Sequence, residues 1–315
     1  MAKKGCFGCS LPLIIGIVVI LIVSFLGGPI GSRLVGDIGL PSIFSAARPE
    51  PKLPAEVIFR LGWFKITNSI IASWISIAVL VALFYAASRR AKLIPSRLQN
   101  MMEMVLEWLV NFCKEVAGEQ NGRRFFPVVA TIFLFVITNA WIGLLPGFGT
   151  ITVTGADGEH VELLRAANTD INLPLALALA SFILVGYFGA KLTGPGRFLK
   201  QYFNFGGFFR GLGQLFRGKP RAGMSMVFTG IIDIFVGMLE LLSVLIRIVS
   251  FTFRLFGNMT AGEILIFMVI FLAAWVAPIP FYGLELLVGF IQALIFAGLT
   301  LVFLTVATAT HESEG

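Results

Sequence analysis

Between Met226 and Ala277 the chain runs for 52 residues with only five charged side chains. An uncharged apolar run of about 18 residues is already enough to cross a bilayer. As one straight helix this stretch would reach roughly 75 Å, against a hydrocarbon core of about 30 Å. It therefore has to break, or to tilt far from the membrane normal. Gly257 and Asn258 are the candidate positions for a local irregularity, and Pro278 and Pro280 end the stretch.

Other apolar runs extend the pattern: Leu11–Leu26, Ile66–Ala87, Phe125–Leu145, Ile171–Ala190 and Phe281–Thr308. Charged residues make up only 13% of the chain, against roughly 25% in soluble domains. The sequence thus predicts an all-α integral membrane protein with about six apolar segments. Residues 96–119 differ from these. Leu98, Met102, Val105, Leu106, Leu109 and Val110 recur at helical spacing, with Glu103, Glu107 and Lys114 among them. That pattern predicts an amphipathic helix, too polar to span, lying along the membrane surface. The run at Leu11–Leu26, preceded by Lys3 and Lys4, reads as an uncleaved anchor in preference to a signal peptide. The Pro- and Gly-rich residues 27–65 read as an extracytoplasmic linker. The expected division is an N-terminal extension, 1–65, and a core, 66–315.

Basic residues assign the sides. Seven Lys or Arg fall in 88–124 and six in 193–225, whereas 147–170 has only Arg165 beside four acids. Positive loops stay inside, so the N-terminus, 88–124, 193–225 and the C-terminus are expected in the cytoplasm. The outer linker, with five basic residues, is a mild violation. The net charge of +7 is spent on this topology and on anionic lipid, not on nucleic acid. The Phe-, Gly- and Arg-rich segment 203–223 lies between two spans and is expected at the interface. His160 and His311 are too few and too far apart for a metal site, and the single CxxC, Cys6 and Cys9, reads as two reduced thiols. No metal or cofactor is expected.

Charges inside the apolar runs carry the functional reading. Asp233, Glu240, Arg247 and Arg254 follow one another at intervals of seven. Seven residues turn a helix through about 700°, so the four lie on one slowly drifting stripe. A charge at the centre of a spanning helix costs about 2.5–3.5 kcal/mol on insertion scales and marks a partner or a water path. Neighbours on the stripe are about 10.5 Å apart in rise, too far to neutralise one another. Glu263, Glu285 and Gln292 descend from the outer side, Gln292 to about 15 Å depth if the boundary lies near Phe281. Glu240 and Asp233 lie on the inner side. Two polar half-paths thus meet at Arg254.

At these residues the sequence resembles the a subunit family of the ATP synthase membrane sector. The specific motifs are the run Ser250 to Glu263, which reads SFTFRLFGNMTAGE, and the run Glu285 to Phe296, which reads ELLVGFIQALIF. Supporting pieces begin at Glu240, at Lys92 and at Thr169, the last containing Asp170. Together they cover about Ile66 to Thr308. The family's departures here are the N-terminal extension and the insertion at 203–223.

The resemblance implies a proton-translocating stator subunit, not an enzyme on its own, in a bacterial cell membrane. Its last two long helices would lie steeply tilted along a ring of c subunits. Arg254 would face the ring carboxylates. Asn258, Glu263, Glu285 and Gln292 would line the outer half-channel; Glu240 and Asp233 would belong to the inner one, with Arg247 and Asp170 supporting. Implied partners are the c-ring, a b-type peripheral stalk, indirectly the catalytic head, and lipid. A secondary transporter would instead show inverted repeats and paired broken helices, and no internal repeat is present. A scaffold without a transport path leaves the four-charge stripe unexplained.

Overall fold

The computed structural model describes residues 7–29, 54–62, 64–89, 95–145, 148, 151–155, 160–202, 205–216, 220–273 and 276–309. Cys6, the side chain of Cys9, most of the 27–65 linker, parts of the 203–223 insertion and the tail from His311 lie outside them. Helices follow the apolar runs: α1 Phe7–Gly27, α2 Asn68–Ser88, α3 Arg97–Gly143, α4 Asn172–Thr193, α5 Pro195–Tyr202, α6 Gly206–Phe216, α7 Pro220–Leu272 and α8 Pro278–Ala309. Five of them, α2, α3, α4, α7 and α8, are long and apolar enough to cross a membrane, and α1 adds the shorter apolar stretch Ile14–Leu26.

Two findings depart from the sequence reading. The long stretch does not break at Gly257 or Asn258; α7 runs through both for 53 residues. In an apolar setting backbone groups have no water to turn to, so the helical hydrogen bonds outweigh a lone glycine. The second concerns two segments read as linker and loop, each of which carries a hairpin. Strands β1 (Val57–Leu61) and β2 (Phe64–Thr67) pair antiparallel, as do β3 (Thr152–Thr154) and β4 (His160–Glu162).

The amphipathic segment and the span after it form α3, with a sharp turn between them. Gly118 sits at φ 79°, ψ 167°, a conformation open to glycine alone. The chain then passes so close to itself that a Cβ at Gly122 would stand 2.7 Å from the Cys113 carbonyl oxygen. Gln99, Met102, Leu109 and Cys113 are buried on one stripe, and Glu103 and Glu107 are exposed.

The chain forms two compact clusters. One comprises Met1–Ser76, Val136–Asp170 and Phe256–Gln292; the other comprises Ile77–Phe135, Ile171–Leu255 and Ala293–Gly315. In the first, the hairpins are tied to each other and to the start of α2. The Glu162 amide donates to a Glu56 carboxylate oxygen at 3.2 Å, and Asn68 Nδ2 donates to the Glu162 carbonyl at 3.3 Å. Trp141 Nε1 donates to the Leu286 carbonyl at 3.1 Å, and Gly289 lets α8 approach Ala140 of α3.

The second cluster centres on stacked aromatic rings. Phe251 of α7 meets Phe182, Phe296 and Phe303 at centroid distances of 5.7, 4.8 and 5.8 Å. Trp108 packs on Phe133 at 5.7 Å, joining the two arms of α3. Within the 203–223 insertion, α6 lies against the start of α7 through glycines. A Cβ at Gly211 would come 2.6 Å from the Val227 nitrogen, and one at Gly230 would collide with the Phe208 backbone.

Candidate functional site

In the first cluster α7 and α8 bring two carboxylates to one cavity. It has a volume of about 300 Å³, and Arg165, Asn168, Glu263, Tyr282 and Glu285 contribute its polar lining. Glu285 is 5% exposed. Its carboxyl group occupies the space a side chain at Gly262 would need, so one glycine of α7 makes room for the acid of α8. Pro278 begins α8, where its missing N–H is no loss. Glu263 pairs with Arg165, whose Nη2 stands 3.4 Å from a Glu263 carboxylate oxygen. Asn168 is fully buried, and its side-chain oxygen has no hydrogen-bond partner among the described residues. Asp170 accepts a short bond, 2.6 Å, from the Ser69 hydroxyl at the head of α2. Of the other expected outer residues, Gln292 is buried and Asn258 exposed, and neither lines this cavity.

In the second cluster a smaller cavity of about 90 Å³ is lined by Glu240 and Arg247 of α7, by Tyr202 and Phe198 of α5, and by Phe303 of α8. The Arg247 guanidinium lies 4.7 Å from the centre of the Phe303 ring, and that of Arg254 lies 5.8 Å from Phe251. The aromatic stack therefore gives two cations of the α7 stripe a π face. Arg254 forms no ion pair with any described residue. All four stripe residues are half-buried, while Ile232, Phe235, Leu239, Ile246 and Phe253 beside them are exposed. Asp233 does not line the Glu240 cavity. Its carboxylate instead lies beside the first turn of α6, where a Cβ at Gly207 would be 3.3 Å away. Burial pushes the Tyr202 phenol above its ordinary range; the Glu240 carboxylate adds to this and Arg247 opposes it.

Glu263 and Glu285 are thus brought together, and Glu240 and Arg247 likewise. Two site residues escaped the sequence reading. Arg165 was visible as the only base in an acidic loop, a weak signal. Tyr202, in a short helix between spans, gave none. Chemically, each cavity sets one or two carboxylates beside a guanidinium and a tyrosine in a largely apolar wall, and Arg254 supplies a further positive charge on α7.

The ATP synthase A chain family matches residues 70–305. The chain belongs to that family. The chain is similar to ATP synthase subunit a of Geobacter sp., 31% identical over 250 residues, covering 79% of this chain and 91% of the relative. The subunit of Desulfosudis oleivorans is 30% identical over 235 residues, covering 74% and 85%, and that of Gloeobacter violaceus is 29% identical over 247, covering 78% and 86%. Membership in this family carries with it ion transport and ATP synthesis, and with five apolar helices makes the chain a multi-pass membrane protein.

Proposed function

We propose that this chain is the proton-carrying stator subunit of a rotary ATP synthase, with two half-channels that load and unload carboxylates on a rotating c-ring. The carrying observation is Arg254, a permanent cation in the apolar helix α7 with an aromatic face and no carboxylate partner among the described residues. Such a charge is costly in a membrane unless an external partner meets it. A ring carboxyl surrounded by lipid stays protonated because burial disfavours its charge. Beside Arg254 the ionised form is favoured, at about 4 Å by on the order of 4 kcal/mol before desolvation for an effective dielectric of 20. That is enough to release the proton and weak enough to let the ring turn.

The Glu263–Glu285 cavity then serves the outer path, with Gln292 and Asn258 along it, and the Glu240 cavity serves the inner one, with Asp233 nearer its mouth. Arg254 repels a proton or hydronium and so separates the two. Partners are the c-ring, a b-type stalk, lipid and, through the stalk, the catalytic head; the setting is a bacterial cell membrane, and the ion is H⁺.

Arg254→Ala is expected to abolish respiration-driven ATP synthesis in membranes that still contain the complex, and to raise passive proton leak. Arg254→Lys fails as well, because a buried lysine can neutralise itself. Arg247→Ala, whose cation rests on Phe303, is milder. Near wild-type synthesis in Arg254→Ala would refute the proposal.

A further inference from the structure

Arg165 is a buried cation that the proposed proton path does not use. It is 8% exposed. Its Nη1 donates to the Pro54 carbonyl at 3.3 Å, and its Nη2 donates to Glu263 Oε2 at 3.4 Å. It also lines the cavity that Glu263 and Glu285 share. A guanidinium has five donors in a rigid plane, so it can hold two acceptors in a fixed relation. Here one acceptor is the acid of α7. The other belongs to a segment that precedes the family-matched region, which begins at residue 70.

We propose that Arg165 is a positioning residue for proton uptake: bridging Pro54 and Glu263, it fixes the Glu263 carboxylate at the cavity wall, so the chain ahead of the family core sets the outer entrance. This rests on the reading of Glu263 as an outer-path acid. The surrounding framework fits the role. Glu56, two residues after Pro54, is bonded to the Glu162 amide, three residues before Arg165. The Pro54 side of the bridge and the segment carrying Arg165 are therefore tied to each other through β4 and the residues just before β1, and the guanidinium has little freedom to follow Glu263 elsewhere. Arg165 touches Glu263 through a charge-assisted hydrogen bond and acts by orienting it.

The test uses ATP-driven proton pumping in inverted vesicles carrying the whole complex, normalised to the amount of complex. Arg165→Gln should lower pumping roughly tenfold, the size expected for coupled members of one ion-pair network. Glu263→Gln should do the same. Because Arg165 acts through Glu263, the double variant should be no worse than the poorer single within about twofold. Arg165→Lys, which keeps an amine that can reach Glu263 but lacks the planar fork, should recover pumping only in part, to between Arg165→Gln and wild type.

Multiplying losses in the double variant would overturn the proposal, as would normal pumping in Arg165→Gln beside an impaired Glu263→Gln. Normal pumping in Glu263→Gln would instead sink the outer-path reading on which this one rests. If Arg165→Gln does not accumulate in membranes, Arg165→Lys decides. Partial recovery supports the bridge, whereas full wild-type pumping, or pumping as poor as in Glu263→Gln, refutes it.

Discussion

At the scale of single residues, the Glu263–Glu285 cavity depends on what Gly262 lacks. A Cβ there collides with the Glu285 carboxyl group, so Gly262→Ala has to displace the acid. ATP-driven pumping is expected to fall several-fold while the complex still assembles. Gly283→Ala, in the same stretch of α8 with nothing within 4 Å of an added Cβ, should pump normally and gain up to about 1 kcal/mol of helix propensity. Equal pumping in the two variants would show that Glu285 has no fixed place. The same contrast shows what was legible beforehand. Spacing alone put Asp233, Glu240, Arg247 and Arg254 on one stripe, and the structure finds all four half-buried. Spacing could not give the partner of Glu263, because Arg165 lies 98 residues away and a pair that remote is made by the fold. Nor could it separate Asp233, which lies beside α6, from Glu240, which faces a cavity.

At the scale of elements, two glycine contacts set how helices turn and approach. Gly118 carries the reversal within α3 at φ 79°, and any side chain there adds about 1–3 kcal/mol of backbone strain. Gly118→Ala should lower the thermal stability of the detergent-extracted complex, whereas Gly186→Ala, with open space around it, should not. A scan of aggregation temperature compares them directly. Gly230 is the second contact: its replacement by Val has to lift the Phe208 backbone of α6 away from α7. Protease cleavage within 205–216 should then quicken in solubilised complex, and unchanged cleavage would mean that α6 is not held by this seam. The long helices were legible because length and apolar content fix them without reference to anything remote. The hairpins were not. Their strands have three to five residues, too few to show alternation. They are held by bonds such as Glu56 to Glu162 that join distant parts of the chain.

At the scale of the whole molecule, the lipid has to be matched to a helix of unusual length. The 53 residues of α7 rise roughly 80 Å if straight, more than twice the hydrocarbon thickness of about 30 Å. With no break in it, α7 has to incline or curve. The exposed apolar side chains of α7, among them Phe228, Phe235, Leu242 and Phe253, then need lipid or a membrane partner against them. We propose the orientation from charge: the six Lys or Arg in 193–225 would hold that segment in the cytoplasm, with the acidic 147–170 loop outside. The test starts from a chain with Cys6, Cys9 and Cys113 replaced. Thr154→Cys, exposed in β3, should react with an impermeant thiol reagent applied to intact cells. Gly213→Cys, exposed in α6 with open space around it, should react only after the cells are opened. The opposite pattern would overturn the proposed assignment of Glu263 and Glu285 to the outer path and of Glu240 to the inner one.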